Sequence, residues 1–175
     1  MFRLTAVVSM LFLPGVIQAG MFNRPPQNEE TCFSPDEACD EKLVSLIDGA
    51  KKTIDIAIYD INLDALVHSL LVQSKKIKVR VVVDRKQAKG KHSAVPLLLK
   101  AGVNVRYGHQ RGIMHNKFVI VDGTMLESGS FNYTHHAYQA NHENQIYLTS
   151  PKIVARFQEE FEKVWRKADE PRKKN

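Results

Sequence analysis

The sequence predicts an α/β fold, with a mixed, partly parallel β-sheet flanked by helices on both faces. Three observations carry that expectation. In the first half, Ile54, Ile56 and Ile58 alternate along a strand over Thr53–Asp60, a helical apolar pattern covers Leu63–Ser74, and a β-branched run covers Lys78–Asp84. Together they form a βαβ unit. In the second half, Lys117–Val121 is apolar on both faces and leads to Asp122-Gly123, a turn dipeptide that marks antiparallel pairing. Near the end, Val154, Phe157, Phe161, Val164 and Trp165 recur on one stripe of a helix opened by Ser150-Pro151.

The remaining elements follow in chain order. Arg3, the apolar run Leu4–Leu13, Pro14-Gly15 and then Val16-Ile17-Gln18-Ala19 have the order of a secretory signal peptide over residues 1–19. An uncleaved anchor is the alternative, although the run is shorter than the roughly 20 apolar residues a spanning helix needs. Residues 20–31 are rich in Pro, Asn and Glu and read as a flexible lead-in to one domain over 32–166. Ser34-Pro35-Asp36-Glu37 reads as a helix start, with Ser34 as N-cap and Glu37 completing a capping box. Cys39, Leu43, Leu46, Ile47 and Ala50 follow at helical spacing. A further helix over Ala94–Ala101 stops at Gly102 and leads into a strand at Val103–Tyr107. Strands at Thr124–Ser130 and Asn144–Thr149 complete the sheet, and residues 167–175 form a basic polar tail containing Arg172, Lys173 and Lys174. With 175 residues, 43% of them apolar, and no internal repeat, the chain builds one core.

Export would place the only two cysteines, Cys32 and Cys39, in the periplasm or outside the cell, where a disulfide forms; two free thiols are the alternative. No cluster of further ligands beside them suggests zinc. The formal net charge of +6 draws polyanions, nucleic acid and anionic lipid alike.

The chemistry concentrates in His115-Asn116-Lys117, Asp122 and Gly129-Ser130-Phe131-Asn132. Residues i and i+2 of a strand share a face, so His115 points with Lys117 and Ser130 with Asn132. A cation, a hydroxyl and an amide hold the non-bridging oxygens of a phosphodiester while an imidazole attacks phosphorus in line. These groups stand where two-metal enzymes place carboxylates, so no metal and no cofactor is expected.

These residues fill all six fixed positions of HxK(x)4D(x)6GSxN, the signature of the phospholipase D superfamily, which the chain resembles from about Ser34 to Trp165. Its length, leader and single motif copy are similar to those of the small secreted bacterial Nuc-type endonucleases, and more distantly to the mitochondrial cardiolipin hydrolase/Zucchini branch. The resemblance implies a phospholipase D-like half-domain and a phosphohistidine on His115. Lys117, Ser130 and Asn132 would bind the phosphoryl oxygens, and Glu143, from Glu143-Asn144-Gln145, would hydrogen-bond the imidazole. Asp122 belongs to the motif as a catalytic position, while its Asp-Gly context also accounts for it as a turn residue. Asn132 has an alternative as the N-cap of the next segment. A homodimer with a composite site is implied as well, because one motif supplies one histidine and the reaction needs a nucleophile and an acid.

The basic loop Arg85, Lys86, Lys89 and Lys91 follows a strand at the sheet edge where ligands bind, and reads as a substrate-backbone contact or a solvated loop. His135, His136 and His142 fall in a polar connection, His68 in a helix, and His92 and His109 are minor candidates for substrate contact. The expected function is a nuclease with little sequence preference. A phospholipase acting on head groups and a non-catalytic nucleic-acid-binding module are the alternatives.

Overall fold

A computed structural model describes residues 29–108 and 112–171. The expected leader over residues 1–19, most of the expected lead-in, His109 and the tail bases Arg172, Lys173 and Lys174 lie outside the described residues. The chain runs β1 (Glu30–Ser34), α1 (Cys39–Asp48), β2 (Thr53–Ile58), α2 (Asp64–Gln73), β3 (Lys78–Asp84), a 3-10 turn (Gln87–Lys89), α3 (Val95–Lys100) and β4 (Asn104–Gly108). It continues with β5 (Lys117–Val121), β6 (Met125–Gly129), α4 (His135–Gln139), β7 (Glu143–Leu148) and α5 (Pro151–Lys167). The sheet order is β1-β7-β6-β5-β2-β3-β4. Strands β2, β3 and β4 pair in parallel, and every pairing from β2 outward through β5, β6, β7 and β1 is antiparallel. The mixed sheet is therefore the one the two halves predict.

Strands β2, β3 and β5 are buried on both faces along nearly their whole length, which explains the continuous apolar run of β5 and the β-branched run of β3. One face packs Ile54, Ile56 and Val81 against Leu43, Ile47, Leu66, Leu70 and Leu98 of α1, α2 and α3. The other packs Val82, Phe118 and Ile120 against Val154, Phe161 and Trp165 of α5. A polar pair interrupts this second face: the Arg80 Nε and Nη2 donate to the Asp55 carboxylate at 2.7 and 2.8 Å, with Glu162 of α5 receiving Nη2 at 2.6 Å. No helix among the described residues is long and apolar enough to cross a membrane.

The start of the domain differs from the expectation. Ser34 ends a strand, and α1 begins at Cys39 after Ala38. The Ser34 hydroxyl donates to the carbonyls of Ala137 and Asn141, and Glu37 accepts from the Phe33 amide, so neither is free to build the capping box. The pairing of Glu30–Ser34 with β7 outweighs the local capping signal. Cys32 and Cys39 are bonded to each other, their Cα atoms 5.6 Å apart. At the other end, Asp169 exchanges backbone hydrogen bonds with Tyr107 at 2.8 and 3.0 Å, so the folded body extends from Glu30 to Asp169.

Candidate active site

The antiparallel register sets Lys117 opposite Ile58 and Ser128 opposite Phe118. The residues just before β5, just after β2 and just after β6 consequently meet at one edge of the sheet. The Lys117 Nζ lies 3.2 and 3.3 Å from the two ring nitrogens of His115 and donates to the His115 carbonyl at 3.1 Å. The Tyr59 ring meets the imidazole edge-on at 4.6 Å between centroids, and the Lys117 ammonium stands 5.5 Å over the same ring. His115 is exposed while Lys117 is buried. Burial pushes the Lys117 ammonium below its ordinary range, and the charge of Glu143 opposes that shift.

Beyond β6, a Cβ on Gly129 would overlap the Asn144 carbonyl, so glycine is required where the strands pinch. Ser130 then uses its hydroxyl twice: it donates to Glu143 and accepts from the Asn144 amide at 3.0 Å. Glu143 was expected to hold the imidazole of His115. Its second oxygen instead accepts from Asn141 at 2.9 Å, so the hydrogen bonds of both oxygens go to Ser130 and Asn141, while the carboxylate charge is felt at Lys117. The Asn132 Oδ1 is buried without a hydrogen-bond partner among the described residues. Asn132 is not the cap of α4, because Thr134 fills that position and its Oγ1 accepts from Ala137.

Asp122 does not reach the site. It occupies the far end of β5, where the carboxylate accepts from the amides of Lys51, Lys52 and Thr53 at 2.6 to 3.2 Å. Partial burial opposes its ionisation, yet those bonds and the nearby Lys52 charge hold the carboxyl below the ordinary range. Its φ of 54° is the left-handed conformation that a turn demands and Asp tolerates. The turn reading of the Asp-Gly pair therefore accounts for it, and the catalytic reading is corrected.

The basic loop is more ordered than its composition suggests. Asp84, buried at the end of β3, accepts from the amides of Lys86 and Gln87 through Oδ1 and from the Met114 amide at 3.1 Å through Oδ2. One carboxylate thereby ties the loop to the residue preceding His115. Gln87 reaches Tyr59 with a 2.7 Å bond to its hydroxyl. Arg85 is ion-paired with Asp169, while Lys86 and Lys89 are exposed beside a cavity of about 360 Å3. Lys91 and His92 line a different cavity, with Asp60, whose carboxyl burial pushes up. His135 pairs with Asp64 at 3.1 Å, and His68, His136 and His142 are exposed.

Asp84 and Tyr59 were not singled out from the sequence. A carboxylate closing a strand just ahead of a basic turn is the signal that points to Asp84; a lone tyrosine after a strand gives none. The cluster of metal-ligand types among the described residues is Cys32, Glu37 and Cys39, whose two sulfurs are bonded to each other.

Residues 43–165 match the family described as "Cardiolipin synthase, PLD-like domain". The chain is 33% identical over 163 residues to the mitochondrial cardiolipin hydrolase of Chlamydomonas reinhardtii, covering 91% of this chain and 73% of that protein. The crystal structure of Nuc from Salmonella typhimurium, a phospholipase D family member, superimposes with a TM-score of 0.78 at 27% identity, over 83% of this chain and 99% of that one. NucT from Helicobacter pylori shares the fold, with a TM-score of 0.75 at 22% identity over 82% and 98% of the two chains.

Proposed function

The chain belongs to the phospholipase D superfamily and is a hydrolase of that superfamily, and from that premise we propose that it cleaves nucleic acid as a metal-independent phosphodiesterase. The observation that carries this reading is the Lys117 ammonium set against both nitrogens of the exposed His115 ring, with Ser130 and Asn132 at the same sheet edge. A phosphodiester entering there meets a nucleophile and a cation together. The His115 imidazole forms a bond to phosphorus and displaces one ester oxygen; Lys117 neutralises charge on the non-bridging oxygens as it develops. Asn132 and Ser130 donate to those oxygens, Ser130 by turning its proton from Glu143. Water then attacks the phosphohistidine and restores the enzyme.

Nucleic acid is favoured as substrate by the exposed Lys86 and Lys89 beside the site, since backbone recognition needs cations and no base readout. The aromatic stripe of α5 is committed to the core through Phe161 and Trp165, so it does not offer an apolar face to a bilayer. The second reading, hydrolysis of phospholipid head groups, is favoured by the relative named mitochondrial cardiolipin hydrolase. A leader over residues 1–19 fits export to the periplasm or beyond, where the Cys32–Cys39 bond is kept. We further propose a two-fold dimer in which His115 attacks and the partner's His115 protonates the leaving oxygen.

The test is a parallel assay of the protein on plasmid DNA, single-stranded RNA and phospholipid vesicles, each with EDTA. Cleavage of nucleic acid that persists under chelation is expected. Vesicle hydrolysis without nucleic-acid cleavage would reverse the substrate ranking, and loss on chelation with recovery on magnesium would overturn the mechanism.

A further inference from the structure

The His115 side of the domain opens on a cavity that the motif residues do not complete. Its volume is about 420 Å3, and its lining runs from Ile113, His115 and Asn116 to Lys163, Val164 and Lys167 of α5. The wall facing the nucleophile is therefore a helix far along the chain. Lys163 and Lys167 are four residues apart, so they project from one side of α5 about one turn, roughly 5.4 Å, from each other. That rise is close to the spacing of successive phosphates along a single strand.

We propose that Lys163 and Lys167 form a phosphate subsite for the strand that continues beyond the bond attacked by His115. The inference rests on the nucleic-acid reading and narrows it: the preferred substrate is a strand carrying phosphates on both sides of the scissile one.

Four observations support the assignment. The helix is rigidly seated, with Val154, Phe161 and Trp165 buried against the sheet, so the two lysines stand on a fixed wall. Both are exposed. Lys163 meets Glu160, which also lines the cavity, at 3.1 Å, an exposed i,i+3 pair of the kind that contributes little. Lys167 makes no ion pair among the described residues. By contrast Arg80 is buried against Asp55, so it offers no equivalent charge.

The fourth observation is the position of the second cavity. It holds Lys86 and Lys89 and adjoins the first at Ile113, two residues before His115, which lines the first. A strand can enter over Lys86 and Lys89, present one phosphodiester to His115 and leave over Lys163 and Lys167. A substrate with one phosphodiester would use the centre of that path alone.

The double variant Lys163→Gln/Lys167→Gln tests this, with Lys163→Arg/Lys167→Arg as the conservative control. Steady-state rates are measured on bis-p-nitrophenyl phosphate, a dinucleotide and a single-stranded dodecamer across a range of salt concentrations. For the glutamine variant, KM for the dodecamer should rise roughly tenfold with kcat nearly unchanged. The slope of log kcat/KM against log salt should fall by about 1.4, from about 0.7 per single-strand phosphate contact. Both constants for bis-p-nitrophenyl phosphate should stay at the parent value, and the arginine variant should behave as the parent on every substrate. A dodecamer preference that survives in the glutamine variant overturns the subsite, as does an equal loss on all three substrates. Hydrolysis of bis-p-nitrophenyl phosphate by the unmodified protein with no cleavage of either oligonucleotide overturns the nucleic-acid reading itself.

Discussion

The hydroxyl of Tyr133 donates a 2.6 Å hydrogen bond to the Glu127 carboxyl, and both side chains are buried, on either side of the Gly129–Asn132 segment in sequence. The backbone of Tyr133 is held as firmly: its amide donates to Asp60, and its carbonyl accepts from Asn62 and Leu63. Asn132 is thus clamped from the side that follows it. Burial pushes the Glu127 carboxyl up to about 8, against the opposing effect of the Tyr133 bond.

The first prediction follows from that shift. The ordinary value is 4.5. Between it and about 8 the folded state holds a proton that the unfolded state has lost, so the Glu127 contribution falls as pH rises through this window and is level above it. Denaturant midpoints of the parent and Glu127→Gln, compared at the two ends of the window, should show a steeper alkaline decline in the parent. Parallel declines would contradict the assignment.

A second prediction concerns Asp122. Replacing it by Ala removes the acceptor of three backbone amides and puts a β-carbon without a local hydrogen bond at positive φ. The expected cost is about 1–3 kcal/mol of stability, with kcat kept within a few-fold of the parent. Thermal unfolding and turnover measured on one preparation check it; a collapse of kcat with unchanged stability would return Asp122 to the chemistry.

The Cys32–Cys39 bond anchors the edge strand to the start of α1, and both cysteines pack with Tyr147. Closing so short a loop contributes about 2.5 kcal/mol in the chain-entropy picture. Cys32→Ser/Cys39→Ser should lower the denaturant midpoint accordingly, and mass after alkylation of the unmodified protein should show no free thiol.

Much of this arrangement is legible from residue patterns, and the exceptions have physical causes. Alternation in Thr53–Asp60 and the β-branched run of Lys78–Asp84 mark strands because burial on both faces leaves no competing pattern. The stripe from Val154 to Trp165 marks α5 because one face of that helix is buried against the sheet and the other is solvated. Strand β1 is hidden because its pairing partner, β7, lies more than 100 residues away, while a local capping pattern at Ser34 points to a helix. The placement of His115 beside Lys117 follows from strand periodicity. The partners of Glu143 do not, because Ser130 and Asn141 come near it only through the β6–β7 register. Lys163 and Lys167 are likewise silent in sequence: on an amphipathic helix they read as its solvated face until the sheet sets that face opposite His115.

The composite-dimer proposal predicts a non-linear response to mixing. Parent and His115→Ala chains, unfolded together in equal amounts and refolded, should leave roughly a quarter of dimers with both histidines, whereas independent monomers would keep about half the activity. Activity that falls linearly with the parent fraction, or an active species of monomer mass, would assign the acid to a group within the chain.

In the proposed mechanism His115 carries the phosphoryl group through a covalent intermediate, and that intermediate can be trapped. A single-stranded oligonucleotide with an internally labelled phosphate is mixed with excess protein in EDTA and quenched in base during the first turnover; the digested protein is then mapped by mass. Label is expected on the peptide containing His115, lost on acid treatment and absent from His115→Ala. Product formation in the first turnover without label at His115, or undiminished turnover by His115→Ala, would contradict it.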